Sequence, residues 1–267
     1  MKFGVVIPSG NARDAARLAR QAEESGWDGF FTWEAPWATD AWVSLTAAAM
    51  ATSRIRLGTL LTPLPWLDPV RFAATTATLD DLSGGRLILA VGLGANDTGA
   101  QSIGWPLDSR TKAGLLDEHL AILHGLWRGQ PFAFAGKHRT VAPIDFLAPP
   151  SPVQQPRIPT WCVGSWNRPR SMARVLRCDG VVPQLANPGR IEPADVHAIR
   201  DWLSANGKDA SFDIVVDGES EPVTASGMVA PYVEAGATWW METRWAAPGM
   251  DRLPDFATRI AAGPPRI

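Results

Sequence analysis

The stretch that decides the fold is residues 79–94, LDDLSGGRLILAVGLG. Residues 83–85 are typical of a turn, and the apolar run 87–91 that follows them ends in further glycines. A dinucleotide-binding fingerprint requires G-x-G-x-x-G directly at the start of a helix. Here Asp97 stands where the third glycine belongs, and the next helical pattern begins only near Ser109. The stretch therefore indicates one strand-and-turn unit of a repeating series.

The same alternation of strand and helix continues along the whole chain. Eight apolar segments are predicted to be strands, at 3–7, 28–33, 55–61, 86–91, 158–163, 180–183, 212–216 and 238–241. Because these segments are apolar throughout, we expect them to be buried on both faces, as in a parallel sheet covered by helices. Eight such units in about 250 residues match an α/β fold, the (β/α)8 or TIM barrel. We expect a single barrel domain over 1–267, with a long loop excursion at 129–157 between strands four and five.

The composition excludes several functional classes. The chain has 267 residues, of which 46% are hydrophobic, and its net charge of −2 does not favour binding to nucleic acid or to an anionic membrane. No apolar stretch reaches the length of about 18 residues that a membrane span needs, and Pro8 interrupts the N-terminal segment too early for a signal peptide. Cys162 and Cys178 suit a reducing compartment, so we expect a cytoplasmic protein. The four histidines are not spaced as a set of metal ligands, and no metal is predicted.

Several motifs together resemble those of the bacterial luciferase-like monooxygenase superfamily. They are RIRLGTLLTP at 54–63, TLDDLSGGRL at 78–87, VGLG at 91–94, FLAPPSPVQQPRIPTWCVGS at 146–165 and EAGATWW at 234–240. The resemblance implies a luciferase-like (β/α)8 barrel without a metal, and the shortness of this chain implies reduced insertions. It also implies that FMN, reduced flavin or the deazaflavin coenzyme F420 binds at the C-terminal mouth of the barrel, for oxygen activation or hydride transfer.

In such a barrel the functional residues follow the carboxyl ends of the strands. After strand two, Trp33 could stack near a flavin-like ring, and Glu34 could exchange a proton with flavin N5 or with the substrate. These two are the predicted catalytic residues; the alternative is a core tryptophan and a surface glutamate. After strand three, Thr62 and Pro63 are predicted cofactor contacts, where the resemblance implies a strained peptide, sometimes cis, and a stiff turn is the alternative.

Strands four and six supply further predicted contacts. Gly94 would let a ligand approach the backbone, and Asn96 could bind the pyrimidine edge of a flavin through its donor and acceptor groups. Both residues are equally ordinary in a turn. After strand six, Gln184 is a predicted phosphate or ribityl contact. After strand eight, Glu242 and Arg244 are expected to pair with each other at the rim.

The predicted phosphate site follows strand five. Its cofactor-binding residues are Val163, Gly164, Ser165 and Trp166. A glycine and a small hydroxyl residue before a helix, here predicted over 168–177, offer free N–H groups and the positive end of a helix dipole. Arg168 and Arg170 add positive charge. The matching loop of the resembled family also holds the cofactor phosphate, whereas an ordinary serine cap is the alternative.

These observations predict a flavin-dependent or F420-dependent oxidoreductase or monooxygenase that acts on a small organic substrate. FMN and F420 are not distinguished, and NAD(P)H is a candidate reductant. One rival is a flavin-binding protein without turnover, since family members often carry an acid after strand four where this chain has Gly99. A second rival is a cofactor-free TIM-barrel lyase. The resemblance also makes a homodimer an expectation, with no nucleic-acid or membrane partner.

Overall fold

A computed structural model describes residues 1–36, 38–95, 102, 105, 108–129, 131–145, 151–187, 189–245 and 251–267. The strands in these residues are β1 Lys2–Ile7, β2 Gly29–Thr32, β3 Arg56–Pro63, β4 Leu87–Gly92, β5 Phe132–Ala135, β6 Thr140–Ile144, β7 Thr160–Ser165, β8 Gly180–Gln184, β9 Asp213–Gly218 and β10 Trp239–Thr243. The α-helices are α1 Ala12–Glu24, α2 Ala41–Ala51, α3 Pro69–Leu82, α4 Ser109–Trp127, α5 Pro169–Val175, α6 Pro193–Ala205, α7 Ala225–Glu234 and α8 Leu253–Ala261.

Eight of the strands close into a parallel barrel, in the order β1-β10-β9-β8-β7-β4-β3-β2. All eight predicted strands are present, and the predicted (β/α)8 barrel is confirmed. The turn between α3 and β4 forms where it was expected, because Gly84 and Gly85 adopt positive φ angles of 67° and 78° that other residues rarely adopt. The order also places β7 directly across the barrel from β1.

The segment 129–157 contains regular structure that the sequence did not predict. Strands β5 and β6 pair antiparallel within it, with Phe132 opposite Ile144 and Ala135 opposite Thr140. The carboxylate of Glu118 on α4 accepts hydrogen bonds from the amides of residues 137–139 at 2.7–3.1 Å, which fixes the hairpin tip to that helix. The expectation of a long loop over the whole segment is therefore wrong, because two short strands stabilise each other there.

The interior of the barrel is filled by mostly large side chains, here called the lumen cluster. Its buried members are Val6, Phe31, Leu60, Ile88, Ala90, Trp161, Val182, Val215, Trp239 and Met241. The rings of Phe31 and Trp161 stack with centroids 5.6 Å apart, and Trp161 meets Trp239 edge-on at 5.2 Å. The carboxyl ends of the strands, beyond this packed cluster, are here called the mouth. Among the helices described, none is long and apolar enough to cross a membrane.

Candidate active site at the mouth of the barrel

Side-chain alternation along the strands decides which residues face the mouth. Successive residues of a strand point to opposite faces, here the lumen and the helices. Val182 of β8 and Val215 of β9 belong to the lumen cluster, so Gln184 and Asp217 are the next inward residues of these strands. By the same rule Ser165 is the inward residue at the end of β7. Three neighbouring strands therefore present polar side chains to one arc of the mouth.

An open cavity of about 550 Å³ lies over the β8 and β9 part of this arc. Its lining includes Gln184, Asp217, Thr243 and Trp245, which come from the ends of β8, β9 and β10. The Asp217 side chain is exposed at this cavity. Desolvation by the neighbouring protein raises the pKa of its carboxyl group, although the nearby Trp245 and Arg190 act in the opposite direction. Asp217 was not among the predicted site residues, because the strand was predicted to end at residue 216. The alternation of inward and outward side chains that starts at Val215 would have placed Asp217 at the mouth.

A second polar group lies at the ends of β2 and β3, around Glu34. Burial raises the pKa of the Glu34 carboxyl from 4.5 to about 7. A hydrogen bond with Thr62 and one from the Trp42 indole, at 3.3 Å, partly oppose this shift, and the charge of Asp40 adds to it. The Thr62 hydroxyl also lies 2.8 Å from the Thr59 hydroxyl, so it is held from two sides. Glu34 can therefore gain or lose a proton near neutral pH, as a general acid or base must.

Trp33 precedes Glu34 in the sequence, and its indole N–H already has a hydrogen-bond partner. The indole N–H donates to the carbonyl oxygen of Pro8 at 2.8 Å. The ring is half-buried and lines a small cavity of about 200 Å³, together with Pro8 and Thr32 at the ends of β1 and β2. Any contact that Trp33 makes with a ligand is therefore through the face or edge of its ring.

The predicted contacts after β3 and β4 mainly pack against each other. Thr62 and Pro63 are buried. A Cβ atom on Gly94 would lie 2.6 Å from the Trp66 ring and 2.8 Å from Pro63, so this glycine admits the indole of Trp66. The cis peptide bond of this region joins Leu60 to Leu61, within β3 and ahead of the loop where the resemblance implied it. Asn96 lies outside the described residues.

The corner between β7 and α5 differs from the predicted phosphate cradle. The Ser165 amide donates to the Ser171 hydroxyl at 2.9 Å, and the Trp166 amide donates to the carbonyl oxygen of Gln184 at 2.7 Å. Helix α5 begins at Pro169, which has no N–H, and its N-cap residue is Arg168. The fold itself therefore uses the amides of Ser165 and Trp166, and the phosphate site at this corner stays a prediction.

The residues of this corner divide between the mouth and the helix layer. A Cβ atom on Gly164 would lie 2.9 Å from Val175 and 3.0 Å from the Met172 sulfur, so the glycine allows α5 to pack closely on β7. The Trp166 ring packs against Trp202 of α6, with centroids 6.3 Å apart. The side chains left on the mouth side are those of Val163 and Ser165. An anion held at this corner can therefore contact the Ser165 side chain but not the Ser165 or Trp166 amide.

Two further expectations concern ionic groups. Glu242 and Arg244 do not pair with each other: Glu242 accepts hydrogen bonds from the Ser220 amide and hydroxyl and from Arg259, at 2.7, 2.6 and 3.3 Å. Arg244 forms ion pairs instead with the acidic side chains Glu219, Glu221 and Asp255. Within the described ranges, no group of three or more His, Cys, Asp or Glu residues could hold a metal ion.

With this geometry in place, comparison with known proteins identifies the class. The model of the luciferase-like monooxygenase family matches residues 1–223, and the chain belongs to that family. The resemblance drawn from the sequence motifs is thus confirmed.

Individual relatives agree with the family assignment. An uncharacterized protein of Mycobacterium tuberculosis is 34% identical over 177 residues, a match that covers 66% of this chain and spans 60% of the relative's length. The F420-dependent glucose-6-phosphate dehydrogenase of Amycolatopsis mediterranei is 34% identical over 140 residues, covering 47% of this chain and 41% of the relative.

One solved structure shows the same fold over almost the whole chain. It is the oxygenating constituent of 3,6-diketocamphane monooxygenase from Pseudomonas putida, solved in complex with FMN. It superposes with a TM-score of 0.73 at 17% identity and covers 97% of this chain and 94% of its own. The relative and the neighbour that carry a named activity are both oxidoreductases.

Proposed function

We propose that this chain is an oxidoreductase that binds FMN or coenzyme F420 at the mouth of its barrel and acts on a small organic substrate there. The observation that carries the proposal is the cavity of about 550 Å³ above the packed lumen, lined by Gln184 and Asp217. Its volume lies within the range of about 300–1,000 Å³ that is usual for ligand sites. The named relatives do not favour the two rivals, a flavin-binding protein without turnover and a cofactor-free lyase.

The polar side chains of the mouth fit the ends of such a cofactor. The Gln184 amide can both donate and accept hydrogen bonds, as the polar edges of a flavin require. At the β7–α5 corner, the Ser165 hydroxyl and the exposed Arg168 would hold the phosphate through side chains. Val163 supplies an apolar contact beside them. When bound, the cofactor supplies the hydride transfer or oxygen activation, and the protein binds and orients it.

The remaining predicted site residues take indirect roles in this proposal. Thr62 acts through Glu34, and Pro63 and Gly94 support the rim by packing with Trp66. Gly164 and Trp166 position the corner by packing against α5 and α6. Asn96 as a pyrimidine contact and NAD(P)H as the reductant stay predictions.

Glu34 is the proposed acid–base group of the reaction. Because its pKa is about 7, a substantial fraction of the carboxyl is protonated and a substantial fraction is ionised at neutral pH. The hydrogen bonds with Thr62 and Trp42 hold the carboxyl in one place. The ring of Trp33 forms an apolar wall next to it. Together with the Trp66 and Trp105 rings, whose centroids are 5.6 Å apart, this wall favours a flat or apolar substrate.

An absorbance titration of the purified chain with FMN and with F420 tests the proposal. We expect at least one of them to bind with a Kd below about 100 µM. Gln184→Trp fills the mouth and should weaken that binding at least tenfold. The matched control is Ser204→Trp, which adds the same ring on the exposed surface of α6 and should change nothing. If neither cofactor binds below about 1 mM, the proposal is overturned.

A further inference from the structure

A groove of about 710 Å³ runs along the outside of the barrel between α4 and α5. We call it the α4–α5 groove. Its charged residues are Arg110, Asp117, Arg170, Arg174 and Arg177. Ala113 and Gly114 of α4 and Ala173 of α5 line it as well. The His138 ring occupies the position that a Cβ atom on Gly114 would take. Four arginines face one aspartate here, in a chain whose net charge is −2, so the positive charge is local.

The five charged groups divide into a paired set and a free set. Arg174 is buried and bonds to both carboxylate oxygens of Asp117, at 2.9 and 3.0 Å. Arg177 pairs with the same carboxylate. Arg110 and Arg170 are exposed, and neither has an ion-pair partner in the part of the chain that the structure describes. The single acid of the groove is therefore already engaged, which leaves two cations available to an anionic ligand.

The two available arginines lie at the mouth end of the groove. Arg110 is the second residue of α4 and Arg170 is the second residue of α5. In this fold the helices begin at the carboxyl side of the strands, so both residues lie at the level of the mouth. Arg170 follows Ser165 by only five positions. The groove therefore opens beside the β7–α5 corner and continues from there down the outside of the barrel.

We propose that the α4–α5 groove binds the oligoglutamate tail of coenzyme F420, and hence that this chain uses F420 rather than FMN. The inference rests on the proposed function, which places the phosphate of either cofactor at the β7–α5 corner. FMN ends at that phosphate. F420 continues beyond it as a chain of carboxylates, and the two available arginines at the mouth end of the groove complement these carboxylates in charge.

The proposed contacts of Arg110 and Arg170 with the tail are exposed to solvent, so each of them is expected to be weak. An exposed arginine–carboxylate pair typically contributes a factor of about two to five in affinity, and salt weakens it. Losing two such pairs weakens binding by about 4-fold to 25-fold, and the repulsion from the two new glutamates raises the loss to at least about 10-fold. The loss falls only on a ligand that carries the tail.

The test measures the Kd of F420, of its tail-free deazaflavin fragment and of FMN, by fluorescence or calorimetry. The variant is Arg110→Glu combined with Arg170→Glu. The matched control is Arg13→Glu, because Arg13 is an exposed residue at the same position of α1, on the opposite side of the barrel. We expect the double variant to bind F420 at least about 10-fold more weakly and the other two ligands within about threefold of the unmodified chain. The control should bind all three unchanged, and circular dichroism should show that each variant is folded.

The possible results distinguish a failure of the proposal for the groove from a failure of the proposed function. If F420 binds no better than its tail-free fragment, or if the double variant weakens both equally, the groove does not hold the tail and the inference is overturned, while the proposed function stands. Tighter binding of FMN than of F420 also overturns the inference. If none of the three ligands binds, the proposed function fails and the inference fails with it. Stronger salt dependence for F420 than for the fragment would support it.

Discussion

The raised pKa of Glu34 implies that the stability of the folded chain depends on pH. This dependence can be measured without a substrate. The folded chain holds the pKa of this carboxyl at about 7, against 4.5 for the unperturbed group. The folded state therefore binds the proton more tightly than the unfolded state does. The stabilisation is complete below pH 4.5 and is lost as the pH rises through about 7. At about 1.4 kcal/mol for each pH unit, the whole loss is about 3 kcal/mol.

Glu34→Gln removes the ionisable group and keeps its shape and most of its hydrogen bonds. We expect the free energy of unfolding of the variant, relative to that of the unmodified chain, to increase by about 2.5 kcal/mol between pH 5 and pH 8. Urea denaturation at the two pH values measures it. Glu24→Gln, at an exposed position of α1, is the matched control and should show no such increase. A difference that is the same at pH 5 and pH 8 would refute the reasoning, because it would mean that Glu34 titrates alike in the folded and unfolded chain.

Three other predictions address the surroundings of the site and the assembly. Thr62→Val removes a hydrogen bond that lowers the pKa of Glu34, so the pH at which the chain loses stability should move upward. An unchanged pH profile of the free energy of unfolding would count against that hydrogen bond. Gly164→Ala places a Cβ atom 2.9 Å from Val175 and should destabilise the chain by about 1–3 kcal/mol in urea denaturation, whereas an unaffected midpoint would show that α5 is not so tightly packed. We expect a homodimer by light scattering and predict that the exposed α2 residues Val43 and Met50, at 59% and 70% exposure, lie in its interface. Val43→Glu with Met50→Glu should then give monomers, and a monomeric unmodified chain would contradict the prediction.

The barrel could be predicted from the sequence because its signals are local. Each strand is a short apolar run, and turns such as Gly84–Gly85 mark where the chain reverses. The hairpin of β5 and β6 escaped prediction because its strands have only four and five residues and lie in a segment rich in Pro and Gly. Their pairing, rather than their composition, makes them strands.

The site was harder to predict because it depends on contacts between distant residues. That the Ser165 amide is occupied follows from the position of Ser171, and no pattern in the sequence reveals this bond. The raised pKa of Glu34 likewise follows from burial beside Thr62 and Trp42, which belong to other elements. Asp217 differs in kind, because strand alternation alone would have placed it at the mouth.

Hydrogen exchange measured by mass spectrometry, with and without saturating F420 or FMN, tests the central claim most directly. Bound cofactor should slow exchange in peptides covering 163–171 and 182–187, at the carboxyl ends of β7 and β8. Peptides at the opposite end of the barrel, such as 25–29 and 177–180, should exchange as before. Protection confined to that opposite end, or tight binding without any change at the mouth, would contradict the account.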